Sequence, residues 1–214
     1  MSSAPLVVGI AGGTASGKTT VARKIRESMR GQRVAFIDQD SYYKDLSDLS
    51  LEERREMNFD HPDAFDTDLL VQQLRELREG RPVQKPVYDF VTSTRKGHTT
   101  VVEPGDLILI EGILVLHMQP IRDLLDIRIF VDAEHDVRII RRLMRDIKER
   151  GRDFDHVVDQ YFRHVRPMHM GFVEPSKLHA HIIVPHGGNN ETAIEMLVNA
   201  IQARISGNAG RPTL

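Results

Sequence analysis

Leu6-Val7-Val8-Gly9-Ile10 and, one residue later, Gly12-Gly13-Thr14-Ala15-Ser16-Gly17-Lys18-Thr19 set an apolar run directly before a glycine-rich loop. The loop fits the pattern GxxxxGK[ST], with Gly12, Gly17, Lys18 and Thr19 at the fixed positions. The spacing has a mechanical basis. Glycines let backbone N–H groups wrap an anion, the lysine reaches the β and γ phosphates, and the Thr19 hydroxyl can ligate Mg²⁺. The apolar run reads as a buried strand and Thr19 to Met29 as a helix, giving the strand, loop, helix order that such a site needs. A plain glycine turn with no ligand would need neither the lysine nor the hydroxyl. A nucleoside triphosphate is therefore expected here, with Gly13, Thr14, Ala15, Ser16 and Thr20 completing its contacts.

Outward from this unit, strands and helices alternate. Arg33 to Ile37 is β-prone and ends at Asp38-Gln39-Asp40; Leu51 to Met57 reads as a short charged helix. Asp66 to Glu79 is amphipathic, with Leu69, Leu70, Leu74 and Leu77 at helical spacing before Gly80 and Pro82. Val83 to Val91 and His98 to Val102 read as two strands joined by a polar Thr-Ser-Thr-Arg-Lys-Gly turn, a hairpin inserted at about 83–102. Leu107 to Ile110 and Ile127 to Val131 are buried strands that deliver Glu111 and Asp132 at their ends. His135 to Arg150 and Asp155 to Val165 are helical, Ile182 to Val184 is the last strand, and Glu191 to Ile205 closes the chain as a helix. The expectation is an α/β fold with a mostly parallel sheet flanked by helices, one domain over 1–206, a helical lid at about 138–170 and a frayed tail at 207–214.

Composition narrows the function. The 214 residues are 40% hydrophobic, enough for one well-buried domain, and the formal charge of −2 supplies no global positive field for nucleic acid or anionic lipid. No apolar run approaches the ~20 residues of a membrane helix. Cysteine is absent, so no disulfide or thiolate metal site exists. A cytoplasmic enzyme acting on a small molecule fits this balance.

Phosphoryl transfer needs a second metal-side carboxylate, a group to take the acceptor hydroxyl's proton, and cations for the transferring group. Glu111, at the end of an apolar strand, is the candidate metal-side acid, with helix capping as its alternative. Asp38 and Asp40 compete for the role of base, and they share a face only if their strand runs through both; Asp40 is favoured. Arg138, Arg141, Arg142 and Arg145 fall at i, i+3, i+4 and i+7, one face of a helix, and Arg150 and Arg152 follow. A solvated basic face is the plain alternative. Few acids lie at matching spacing to neutralise these guanidiniums, which favours a lid closing over phosphates. Tyr42, Tyr43, Tyr88 and Phe90 could be core, but Tyr88 and Phe90 share a hairpin face where a flat ligand could stack. His179 and His181 point the same way with no third ligand evident, so a transition metal is not expected there.

The phosphate loop, Asp40-Ser41-Tyr42-Tyr43, Phe59-Asp60-His61-Pro62-Asp63-Ala64-Phe65-Asp66, Pro86-Val87-Tyr88-Asp89-Phe90, Glu111-Gly112-Ile113-Leu114 and Glu149-Arg150-Gly151-Arg152-Asp153 together resemble uridine kinase, also called uridine-cytidine kinase. The resemblance runs from about Leu6 to Ile205. It implies transfer of the ATP or GTP γ-phosphate to the 5′-hydroxyl of uridine or cytidine. It implies Asp40 as base, Asp60 and Arg142 on the ribose, and Tyr88 and Phe90 on the base, with Tyr43, Arg152 and Gln160 also on the nucleoside side. Arg145 and Arg150 would lie on the phosphates, Thr19, Glu111 and Asp40 around Mg²⁺, and Asn189 near the nucleotide base. It further implies a homotetramer inhibited by pyrimidine triphosphates.

One departure bears on specificity. Where family members commonly carry a histidine facing the pyrimidine 4-position, two residues before the arginine matching Arg95, this chain has Ser93. A hydroxyl can serve either uracil or cytosine but reaches less far, so base preference stays open. His181 and His186 also replace a usual Asp and Arg. The rival readings are a phosphoribulokinase-like kinase, which would need basic residues where the hairpin carries aromatics, and a nucleotide-hydrolysing switch, for which no Asn-Lys-x-Asp motif is present.

Overall fold

The structure, a computed structural model, describes residues 4–207. Among them the strands are β1 (Leu6–Ala11), β2 (Val34–Asp38), β3 (Val83–Asp89), β4 (Thr94–Val102), β5 (Leu107–Glu111), β6 (Ile127–Val131) and β7 (Ile182–Val184). β2, β5, β1, β6 and β7, in that order, form one sheet whose every described pairing is parallel. β1 lies at its centre, so the loop that follows it opens at the carboxyl edge of the sheet, where ligands bind in such folds.

Strand alternation builds a core on each face. On one side Val7, Ile108 and Ile110 pack with Leu70, Leu74 and Leu77 of the helix Thr67–Arg78. On the other, Val8, Ile10, Leu109 and Ile129 pack with Val21, Ala22 and Ile25 of α1 (Lys18–Ser28) and with Ile194, Leu197 and Ile201 of the C-terminal helix, Glu191–Ile205. Buried on both faces, these strands read as continuous apolar runs, which is why the sequence declares them parallel. Leu51–Arg55 is a short helix with a Ser50–Glu53 capping box.

β3 and β4 form a separate antiparallel pair. Its turn differs from expectation: Thr94 to Gly97, expected within the loop, already belong to β4, with Tyr88 opposite Arg95. Phe90 therefore lies in the turn, beyond the last residue of β3. Arg95 anchors the hairpin, donating from Nε to the Tyr43 carbonyl at 2.6 Å and pairing with Asp66 at 3.2 Å.

The helix His135–Arg150 spans its expected range, ending at Gly151 in the left-handed conformation (φ 64°). After Phe154–Gln160, capped by the Asp153 side chain, the chain stays helical but widens into π turns at Tyr161–Val165 and His169–Val173. Pro167 and Pro175 follow these turns, and each lacks the N–H an α-helical ladder would require. The sequence reading stops this helix at Val165 and misses its continuation. The expected tail, apart from Gly207, lies outside the described residues.

Candidate active site

The phosphate loop is a compact cradle. Ser16 N–H donates to the Gly13 carbonyl at 3.0 Å, and Gly17 enters α1 at φ 97°, a conformation that favours glycine. A second loop braces it from outside: Gly187 and Gly188, just before Asn189, lie against Ser16, Gly17 and Thr20, and Lys24 Nζ donates to the Gly188 carbonyl at 2.9 Å. Asn189 itself is exposed beside this contact.

Lys18 is buried, and its Nζ stands 3.9 Å from Glu111 Oε2. The Thr19 hydroxyl donates to Glu111 Oε1 at 2.9 Å, while Oε2 is buried without a hydrogen-bond partner. Burial pushes the Glu111 carboxyl above its ordinary range, against the pull of Lys18. Glu111 caps no helix. A hydroxyl, an orphaned carboxylate oxygen and the nearby Asp40 make an all-oxygen donor set of the kind Mg²⁺ takes, so the residues fit that ion.

The two competing aspartates separate cleanly. β2 ends at Asp38 and a 3₁₀ turn, Gln39–Tyr42, follows, so strand alternation does not carry through to Asp40. Asp38 is committed to structure, accepting from Lys85 Nζ of the hairpin and from the Ser41 hydroxyl. Asp40 instead lines an open cleft of about 620 Å³ together with Lys18 and Thr14 of the phosphate loop.

The far wall of that cleft is aromatic. Tyr43 stacks on Phe65 with centroids 4.4 Å apart and meets Tyr88 at 4.9 Å; Tyr88 meets Phe90 edge-on at 5.2 Å. Burial raises the Tyr43 and Tyr88 hydroxyls' pKa values, with Asp40 adding to both. Asp60 sits beside this wall, its carboxyl raised by burial and pulled back mainly by Arg142. Tyr43, Asp60, Tyr88 and Phe90 all line the cleft. Ser93 does not. It is 4% exposed in a left-handed conformation (φ 53°), close enough to Tyr88 to lower that hydroxyl's pKa slightly against the effect of burial.

The arginine stripe is short of acids, as its spacing implies. Arg142, Arg145, Arg150 and Arg152 line the cleft, and a single acid, the fully buried Asp146, pairs with all four and leaves most of their charge unneutralised. Asp146 lies four residues after Arg142 and four before Arg150, a spacing that was there to be read. Arg138 turns away, its guanidinium against Gly13 and 2.9 Å from His169 Nε2. Gln160 accepts from Arg152 at 3.0 Å and donates to the Arg55 carbonyl, which fixes Arg152 at the cleft. Met57, Phe59, Ile113 and His164 also line the cleft and escape the sequence reading, although Phe59 and Ile113 stand inside quoted motifs. His181 accepts from Arg128 Nε at 2.9 Å, and among the described residues the group of possible ligands that converges is His135, His169 and Glu174. There Arg138 already occupies the imidazole and Lys177 the carboxylate, so cations fill the metal's place.

Comparisons with known proteins align with this geometry. The model of the phosphoribulokinase/uridine kinase family matches residues 7–193. Uridine kinase of Clostridium tetani is 55% identical over 205 residues, covering 96% of this chain and 98% of that protein. Uridine kinase of Bacillus subtilis is 52% identical, covering 96% and 97%. Among solved structures, phosphoribulokinase from Rhodobacter spheroides superposes with a TM-score of 0.64 at 18% identity, covering 86% of this chain and 71% of that one. D-glycerate 3-kinase from Cryptococcus neoformans gives 0.59 at 19% identity, covering 79% of each. These two likenesses speak to the fold.

Proposed function

Because the chain belongs to the phosphoribulokinase/uridine kinase family, we propose that it transfers the γ-phosphate of ATP or GTP to the 5′-hydroxyl of uridine or cytidine. The observation that carries this reading is the cleft itself, in which a phosphate loop, a carboxylate and an aromatic wall face one space. A sugar phosphate would call for basic residues where Tyr88 and Phe90 stand, and relatives identical over half of nearly the whole chain are uridine kinases rather than phosphoribulokinases.

In this reading Lys18 and the loop amides grip the triphosphate, and Arg145 and Arg150 neutralise charge on the transferring group. Asp60 accepts the ribose hydroxyls with Arg142 beside it, and the base lies on Tyr88 and Phe90, with Tyr43, Arg152 and Gln160 around it. That pose brings the 5′-oxygen to Asp40, which takes its proton as the bond to phosphorus forms; holding both partners in line supplies much of the acceleration. Thr19, Glu111 and Asp40 would hold Mg²⁺, which would supply charge neutralisation on the triphosphate. Asn189 borders the donor base, and Ser93 tunes the choice between uracil and cytosine through the Tyr88 hydroxyl.

The reading includes one kinase unit over 1–206, a homotetramer, feedback by pyrimidine triphosphates and a cytoplasmic setting. Exposed Ile140, Met144 and Ile147 on one helix support self-association. No helix of the described residues is long and apolar enough to cross a membrane. Steady-state ADP release tests the function: output should rise at least tenfold on adding uridine or cytidine, whereas equal output with and without nucleoside would mark a hydrolase.

A further inference from the structure

Asp146 touches no part of the cleft surface, yet it meets every arginine that does. Its side chain has no exposure, and its two oxygens divide the work. Oδ1 accepts from Arg145 Nε at 2.8 Å with Arg150 Nη1 3.4 Å away, whereas Oδ2 has no hydrogen-bond partner and is ion-paired at 3.5 Å with Arg142 Nε and at 3.8 Å with Arg152 Nη1. Under the function proposed above, on which this inference rests, the first pair faces the donor phosphates and the second the nucleoside.

Three of the four arginines have a second anchor elsewhere in the molecule. Arg142 donates to the Thr14 hydroxyl of the phosphate loop at 3.2 Å, Arg150 stacks 4.0 Å over the Phe90 ring of the hairpin turn, and Arg152 bonds Gln160 of the lid at 3.0 Å. Through these arginines Asp146 joins phosphate loop, hairpin and lid. Burial alone would raise its carboxyl, but Arg145, Arg142 and Arg150 outweigh that and keep it below the ordinary carboxylate range, so it stays charged at the centre of the four.

We propose that Asp146 is a positioning residue that couples the two half-sites: one planar carboxylate sets the donor-side arginines with one oxygen and the nucleoside-side arginines with the other. A donor that fixes Arg145 and Arg150 stops the carboxylate from turning about its own bond, and Arg142 and Arg152 are then held where the nucleoside needs them. Coupling of this kind is reciprocal between the two ligands.

Equilibrium binding of uridine, with and without a non-hydrolysable ATP analogue and Mg²⁺, reads the coupling as a ratio of dissociation constants. In the wild type the analogue should tighten uridine about tenfold, within the usual range for coupled sites. Asp146→Asn should bring the ratio close to one and lower kcat about 100-fold, the scale of a small misplacement of catalytic groups. Asp146→Glu keeps the charge and moves both oxygens by one methylene; it should fold and show the same loss of ratio and kcat. Val157→Ala, which opens a cavity in the neighbouring lid helix, should lower Tm and leave the ratio unchanged. If Asp146→Glu restores both ratio and kcat, Asp146 merely neutralises charge and the inference fails. No turnover of uridine or cytidine by the wild type would overturn the functional reading and this inference with it, whereas normal wild-type turnover with an unchanged ratio in both Asp146 variants overturns the inference alone.

Discussion

Two positions separate Asp38 from Asp40, and only their partners distinguish them. Asp38 is held by Lys85 and Ser41, and Asp40 faces the cleft. Asp40→Asn is expected to cut kcat by about 10²–10⁴-fold, the range for a general base, with ATP affinity near the wild-type value; retained turnover would remove the base assignment. A buried histidine gives a pH-dependent consequence. His169 has a pKa pushed down to about 4, first by burial and then by Arg138, from an ordinary 6.5. The guanidinium can only donate, so Nε2 accepts and Nδ1 carries the proton. The folded protein thus binds fewer protons than the unfolded chain between these values. Stability is fully present above about pH 6.5 and is lost as pH falls toward 4, on the order of 2–3 kcal/mol for this group. In His169→Gln, whose amide oxygen accepts in place of Nε2, the dependence of urea midpoints on pH across that window should flatten; an unchanged slope would mean another group carries the acid sensitivity.

At the scale of elements, the helix His135–Arg150 is turned inside out. It buries Arg138, Arg142 and Asp146 and exposes Ile140, Met144 and Ile147, because its inner face serves the site rather than the core. Its arginine stripe is legible at period 3.6, but the meaning of the stripe depends on Asp146, which local spacing alone leaves as one acid among many. The parallel strands are legible because burial on both faces writes itself as an unbroken apolar run. The π turns are missed because a 3.6-residue period does not register the widening ahead of Pro167 and Pro175, and hairpin register is not legible, since Arg95 reaching to Tyr43 is a distant contact. The brace behind the phosphate loop is of the same kind. Gly187 has φ 63°, and a Cβ there would collide with the Ser16 carbonyl. Gly187→Ala should therefore disturb the cradle at a strain of about 1–3 kcal/mol and raise the ATP KM roughly tenfold, with the nucleoside KM less affected. Equal KM values in the variant and the wild type would show that the brace is passive.

For the whole molecule, the sheet places each functional group at one edge: the phosphate loop after β1, Asp40 after β2 and Glu111 at the end of β5. The hairpin and lid then add an aromatic and basic wall that a bare nucleotide-binding sheet lacks, and in the proposed function this wall receives the acceptor. The most direct test is where the phosphate goes. Incubated with Mg²⁺, ATP and uridine or cytidine, and followed by ³¹P NMR, the protein should give a 5′-monophosphate in step with ADP. Inorganic phosphate as the product, or phosphate on the 2′- or 3′-oxygen, would contradict the account.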